Sequence, residues 1–320
     1  MMERPVDRIK AQALALGFTK VGVAEATHLD DEGTRLREWL ARGYHGTMAW
    51  MSRAVERRVD PSTLLPGARS VVAVALNYYT DQVHPPAPGQ GKISRYAWGD
   101  DYHDIVGSKL QALLSWMQKE YPGSGGKIYV DTGPVMDKVW AQRAGIGWEG
   151  KHTNVITQEM GSWVFLGEVI TTLALEPDEP APDHCGTCTL CIEACPTQAI
   201  VEPYVLDANL CISYLTIEHR GEVAPELAGA FGGWIYGCDI CQDVCPWNQK
   251  FSGNTGEPGF APREGNLAPE LEEWATMTQE QFSARFRHSP VKRTKHGGLM
   301  RNVGIALEGE RNSQPDPTKR

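Results

Sequence analysis

The chain has 320 residues, 41% of them hydrophobic, and a formal net charge of −9. That length accommodates two domains, or one large domain with an insertion, and the acidic balance excludes a protein that grips nucleic acid over its whole surface. Met1 to Ala15 lacks the continuous apolar stretch and small-residue cleavage site of a secretory signal, and no apolar run approaches the ~20 residues that span a bilayer, so the sequence predicts a cytoplasmic protein with no membrane partner.

Helical and strand patterns alternate through the first half, which predicts an α/β layered domain over residues 1–176. Val71 to Leu76 reads as a buried strand, and the proline-rich Asp81 to Gly91 as a loop. Asp104 to Glu120 carries Ile105, Val106, Leu110, Leu113, Leu114 and Met117 at helical spacing, with Asp104 as the cap. Ile128 to Val130 and Trp163 to Leu166 read as further strands. Between them Asp131-Thr-Gly-Pro-Val135 leaves a strand and enters a helix, so periodicity alone makes Asp131 a helix cap. Gly145 to Asn154 is a glycine-punctuated loop that carries Trp148, Lys151, His152 and Asn154, a composition that permits close approach of backbone to a ligand. No G-x-G-x-x-G follows a strand and no G-x-x-x-x-G-K-[ST] is present, so neither a dinucleotide fold nor a P-loop is supported.

Pro177, Pro180 and Pro182 make a stiff entry into a second region, residues 177–260, that contains every cysteine. Cys185, Cys188, Cys191 and Cys195-Pro196 form C-x2-C-x2-C-x3-C-P, the bacterial ferredoxin pattern for 4Fe-4S ligation, in which the fourth cysteine reaches the neighbouring cluster. Cys238, Cys241 and Cys245-Pro246 nearly repeat it without the leading cysteine, and Cys211 is the one spare thiol that can replace it. The crossed arrangement assigns Cys185, Cys188, Cys191 and Cys245 to one cluster and Cys195, Cys211, Cys238 and Cys241 to the other. Zinc is the rival ligand for C-x2-C pairs, but a ribbon needs two separated pairs and here four thiols crowd into eleven residues. A disulfide framework has no secretory context to support it. Leu210 to Trp234 is an insertion between the two runs.

The remainder, 261–320, reads as a short helical segment, with a helix-like stretch from Glu270 to Arg285 and a polar tail from Glu308 that is expected to be disordered. Ser283 to Arg301 contains Arg285, Arg287, Lys292, Arg293, Lys295 and Arg301, two histidines and no acid. A solvated face is the ordinary reading of such a run; a block without a counter-charge also suits the phosphates of a nucleic acid.

Several segments together resemble the epoxyqueuosine reductase family: Gly43-Tyr-His-Gly-x-Met48-x-Trp-Met51, Arg58-x-Asp-Pro61, Ser94-Arg-Tyr-Ala97 with Asp101-Tyr-His103, Asp131-x-x-Pro-Val135, Ala144-Gly-x-Gly-Trp-x-Gly-Lys151, Cys211-Ile-Ser-Tyr-Leu-Thr-Ile-Glu218, Cys245-Pro-Trp-Asn248 and Ser289-Pro-x-Lys-Arg293. The resemblance runs from about residue 5 to about residue 307. It implies an α+β protein whose N-terminal domain is similar to nitroreductase and reductive-dehalogenase-like domains, followed by the ferredoxin-like unit. It further implies a monomeric enzyme that reduces epoxyqueuosine to queuosine at the wobble position of tRNA. Its cofactors would be cobalamin and two 4Fe-4S clusters, with electrons from a flavodoxin- or ferredoxin-type donor.

Carried onto this chain, the resemblance makes Asp131 the proton donor, a role that requires burial beneath the corrin to raise its pKa. It places Arg58, Trp148, Lys151, Asn154, Ser213 and Asp239 in the cofactor pocket. Arg285, Arg287, Lys292, Arg293 and Lys295 become candidate tRNA contacts. Longer members continue past a segment matching Gly298-Leu-Met-Arg-Asn302 into a helical-repeat domain. The competing functions are a cobalamin-dependent reductive dehalogenase acting on a small molecule and a plain ferredoxin-type electron carrier.

Overall fold

A computed structural model describes residues 3–313. Its first half is built on a four-stranded antiparallel sheet in the order Lys20–Glu25, Ser70–Asn77, Val164–Thr171, Gly126–Tyr129. Helices cover both faces, so the second strand is buried along its whole length and reads as an uninterrupted apolar run rather than an alternating one. On one face Val72, Val74, Phe165 and Val169 pack with Ile9 of the Pro5–Ala15 helix and with Leu110, Leu113 and Met117 of the Tyr102–Glu120 helix. On the other face Val71, Ala73 and Ile170 meet Trp140 and Ala141 of the Asp137–Arg143 helix.

Two helix boundaries differ from the sequence reading. The helix expected to begin after Asp104 begins at Tyr102, and Asp101 is its cap, accepting the His103 backbone N–H at 3.1 Å. Asp131 caps nothing: the next helix starts six residues later, at Asp137. The carboxyl of Asp137 instead accepts the Asp131 backbone N–H at 3.1 Å, and Asp131 takes a left-handed φ of 56°. The loop from Thr132 to Met136 is therefore long enough to lift the Asp131 side chain off the helix terminus.

Past residue 177 the chain makes two short cysteine-bearing helical turns, Leu190–Glu193 and Ile240–Asp243, which pack against each other. Two-residue strand Lys92–Ile93 crosses over to pair in parallel with Trp234–Tyr236. Ile93, Ala97 and Trp98 thereby join a core made otherwise by Ile235, Tyr236 and residues of the C-terminal helices. The stretch Glu270 to Arg285 is two helices, Leu271–Ala275 and Gln279–Arg285, because Thr278 starts the second with a capping box to Gln281. The tail from Glu308 is helical as far as Ser313, as the end of the helix that begins at Lys295; Leu299, Val303 and Ala306 bury one face of it and carry the rest. Residues 314–320 of that expected tail lie outside the described residues.

Gly22 marks the tightest contact between sheet and helix, since a Cβ there would lie 1.9 Å from the carbonyl oxygen of Ala144. Gly22→Ala should lower stability by about 1–3 kcal/mol through forced separation of strand and helix, seen as a lower melting temperature of anaerobically prepared protein; an unchanged melting temperature would show that the strand can move aside freely.

Candidate functional site

The eight thiols fall into two groups that follow the crossed partition. Cys185, Cys188, Cys191 and Cys245 line one cavity of about 180 Å³. Cys195, Cys211, Cys238 and Cys241 stand in the wall of a second cavity of about 1120 Å³. Each quartet surrounds a space; among the described residues no three His, Cys, Asp or Glu side chains are placed to hold a single ion. Burial, compounded by neighbouring sulfurs, pushes Cys191 up to about 11 and Cys241 well above the ordinary thiol value. Thiols packed in this way resist ionisation until iron supplies the positive charge, and soft sulfur donors in fours suit an iron–sulfur cube.

The hairpin Trp148–Glu149 paired to Val155–Ile156 sorts the glycine-rich loop between the two cavities. Trp148 is 1% exposed, with its ring 4.8 Å from Trp247 and 4.9 Å from His184, beside the first thiol quartet. Lys151 donates from Nζ to the carbonyls of Gly186 (2.6 Å) and Cys188 (2.9 Å). Neither residue lines the large cavity, so the corrin-pocket expectation for Trp148 and Lys151 is corrected: they brace the first cysteine loop. His152, Thr153 and Asn154, on the other side of the hairpin, do line the large cavity. So do Arg58 and Ser213.

Arg58 makes no pair with Asp60, whose carboxylate caps the Ser62 N–H instead. Its guanidinium sits 5.5 Å over the ring of Trp50, and its Nε is buried without a partner. That orphaned donor in the wall fits an acceptor-rich cofactor such as a corrinoid with peripheral amides. Asp239 lies behind the wall, where it accepts from the Ser94 hydroxyl and from the Arg95 backbone N–H at 2.7 Å. Burial pushes Asp239 up to about 7.

Asp131 and Tyr102 also line the large cavity. Tyr102 donates to the Asp131 carboxylate at 2.6 Å, and Nε2 of His103 lies 3.8 Å away. His103 is held from its other side by Asp101 at 2.7 Å. Burial opposes charge on His103, but the two carboxylates outweigh it and bring the imidazole up to about 9. Burial also pushes Asp131 upward; His103, Tyr102 and the charge of Lys138 reverse this and leave the carboxyl below its ordinary value. Of the two groups it is His103 whose protonated form the surroundings favour, and Asp131 whose ionised form they favour. Tyr102 and His103 were present in the quoted Asp101-Tyr-His103 motif, yet nothing in their spacing reveals that a helix start would face them to a loop 29 residues on.

The basic block is less uniform than its sequence. Arg293 is paired with Glu218 through two contacts of 2.7 and 3.1 Å, and Arg285 lies 4.8 Å over Trp274 while donating to the Glu264 carbonyl. Both therefore have partners within the chain, so the block is not without counter-charge as its sequence suggests. Arg287, Lys292 and Lys295 are exposed.

Comparisons with known proteins bear on this geometry. Residues 58–132 match the family described as epoxyqueuosine reductase QueG, DUF1730, and residues 184–248, with all eight cysteines, match a 4Fe-4S double cluster binding domain. The epoxyqueuosine reductase of a Synechocystis strain is 50% identical over 283 residues, 88% of this chain and 97% of that protein. That of Gloeobacter violaceus is 48% identical over 94% of this chain and 95% of its own. The chain belongs to the epoxyqueuosine reductase family. A crystal structure of a selenomethionine-labelled epoxyqueuosine reductase superposes with a TM-score of 0.91 at 34% identity, covering 96% of this chain and 82% of that one. A second holds a stem loop of tyrosine tRNA modified with epoxyqueuosine, at a TM-score of 0.90 and 34% identity over the same shares. A third, from Bacillus subtilis, has an aspartate-bearing catalytic loop swung out of its active site, at a TM-score of 0.89 and 32% identity over 96% of this chain and 82% of that one. As an epoxyqueuosine reductase, this chain takes two 4Fe-4S clusters and cobalamin.

Anaerobic protein should carry about eight iron and eight sulfide per chain. Cys211→Ala should remove the cluster of Cys195, Cys238 and Cys241 and spare the other, read by iron content and low-temperature EPR; two intact cluster signals would break the crossed partition.

Proposed function

We propose that this chain reduces epoxyqueuosine to queuosine at the wobble position of tRNA, as a cytoplasmic monomer fed by a flavodoxin- or ferredoxin-type donor. The carrying observation is the large cavity lined both by Tyr102 and Asp131, with His103 3.8 Å from the Asp131 carboxylate, and by four cysteine thiols. Electrons and protons must arrive at the same place for a carbon–oxygen bond to be cut reductively, and this cavity is where the chain provides both. Among the described residues no helix is long and apolar enough to cross a membrane.

Arg58, Asn154 and Ser213 would hold cobalamin in this cavity, where, once reduced, it would supply the strong nucleophile and the electron pair. The protein's own part is to manage the departing oxygen. The His103 imidazolium holds a proton against the Asp131 carboxylate, and Tyr102 fixes that carboxylate from the other side. Asp131 passes the proton to the epoxide oxygen as its bond to carbon breaks, so the leaving group departs as a hydroxyl rather than as an alkoxide. The mobile aspartate-bearing loop of the Bacillus relative supports a working loop at Asp131, which here holds a left-handed backbone ahead of Gly133 and Pro134. The tRNA stem-loop complex of another relative supports the choice of an RNA substrate over a small halogenated one.

Asp131→Asn keeps the shape and removes the carboxylate, so kcat on a modified stem loop should drop by about 10² to 10⁴ with cobalamin and iron contents unchanged; near-normal turnover would return the residue to a structural role. For the RNA face, neutralising Arg287, Lys292 and Lys295 together should weaken tRNA binding and reduce the slope of log K against log salt by about 0.7–0.9 per lost phosphate contact. An unchanged slope would move the interface to the cavity rim around Arg35 and Arg42.

A further inference from the structure

A glutamate with no cation beside it is buried in the sheet beneath the large cavity. Glu168 lies in the central strand Val164–Thr171, opposite Ala73 on one neighbour and Tyr129 on the other, and is 0% exposed. Neither of its carboxyl oxygens receives an N–H or O–H donor. An ionised carboxylate in such a place carries a desolvation cost of several kcal/mol, so Glu168 belongs there only in protonated form. Its polar neighbour is Asp137, first residue of the helix packed on that strand. Two carboxyls in contact hydrogen-bond only when one of them carries a proton. Asp137 is also a wall residue of the cavity and accepts the Asp131 backbone N–H at 3.1 Å. The two acids therefore run from the sheet interior to the foot of the catalytic loop.

The charges facing this pair reinforce the reading. Burial first, and then the negative charge of Asp131, raise Asp137 to about 6; burial first, and then the charge of Asp137, hold Glu168 well above the usual carboxylate range. Arg58, on the helix Val55–Val59, feels the field of Asp137, but its own desolvation opposes it. Lys138 is turned away, donating to the Thr153 carbonyl and to Asn154. Tyr129, on the edge strand, brings no positive charge. His103 and Tyr102 both spend themselves on Asp131.

We propose that Asp137 and Glu168 share a buried proton that supplies the second protonation of the reduction, with Glu168 as the positioning residue that keeps that proton at the cavity. The inference rests on the function proposed above. Turning the epoxide into a ring double bond consumes two electrons and two protons and releases the oxygen as water. The electrons arrive through the clusters. The first proton leaves His103 by way of Asp131 as the first carbon–oxygen bond breaks, and gives a hydroxyl. The second must reach that hydroxyl as the remaining carbon–oxygen bond breaks. Asp137 gives it to the spent Asp131 carboxylate, Glu168 replaces it on Asp137, and solvent restores both pairs between turnovers.

The test compares wild type, Glu168→Gln and Glu168→Asp, each holding clusters and cobalamin. Difference infrared spectra of wild type minus E168Q, taken without substrate at pH 7, should show a protonated-carboxyl stretch over the Asp239 contribution that both proteins share. On a modified stem loop E168Q should keep KM and lose kcat by about 10- to 100-fold, with part of the rate returning as pH falls through about 6, where Asp137 takes up a proton on its own. E168D, which still carries a carboxyl, should recover most of kcat. A simple structural defect would lower the melting temperature without adding acid dependence. If E168Q fails to hold its clusters, Asp137→Asn must show the same loss of band and of kcat. Active wild type beside a variant with unchanged kcat or an unchanged band overturns the pair's role alone; wild type that shows the band and reduces no epoxyqueuosine overturns the function and the role together.

Discussion

One short crossing holds the two halves of the catalytic chamber at a set distance. Lys92–Ile93 pairs in parallel with Trp234–Tyr236, and just beyond it Ser94 and the Arg95 backbone close on the carboxyl of Asp239. Asp239 sits between Cys238 and Cys241's helical turn, so the contact ties a cluster loop directly to the sheet domain. Gly237 is required at this point: its φ is 69°, and a Cβ would lie 2.4 Å from the Ser94 Cβ. Arg95 locks the other side, its guanidinium between the rings of Tyr79, Trp98 and Trp163 at 4.5–5.1 Å. A buried polar contact of this kind adds little net stability; its effect is to admit only one register between the two halves.

A second polar knot does the same for the other cluster loop. Asn248, the last residue of Cys-Pro-Trp-Asn, is 3% exposed. It accepts from the Ser162 N–H at 2.6 Å and donates to the Ser162 hydroxyl and the Gln242 carbonyl at 2.9 and 2.8 Å. Ser162 stands two residues before the strand Val164–Thr171, the same strand that carries Glu168. Both cysteine runs are therefore referenced to the sheet through buried hydrogen bonds.

The electrostatics of the chamber are arranged in pairs. An isolated aspartate in a cleft would either stay ionised or be made acidic by burial alone. Here Asp131 stays ionised because His103 and Tyr102 favour its charge, while His103 stays protonated because Asp101 and Asp131 favour its own. Splitting an acid over two side chains keeps a proton bound through neutrality beside a carboxylate that can relay it. Asp137 and Glu168 reach a comparable end by repulsion and burial, with no cation involved.

The two-cluster domain was legible in the sequence because a cube's ligands come largely from a local run of cysteines at fixed spacing. The buried strands and the long helix were legible for a similar reason: their apolar periodicity is local. What depended on the fold were side-chain directions decided across distance. Trp148 and Lys151 turned to the cluster and Asn154 to the cavity because a two-residue hairpin divides them. Arg293 lost its freedom to Glu218, 75 residues away in sequence. The protonation of Asp131 was set by a helix start 29 residues earlier. Residue type and spacing determine which metal chemistry the chain can support, since a thiolate's chemistry travels with the residue. Only the tertiary structure determines which groups hold protons, because charge and desolvation depend on neighbours that the sequence does not place side by side.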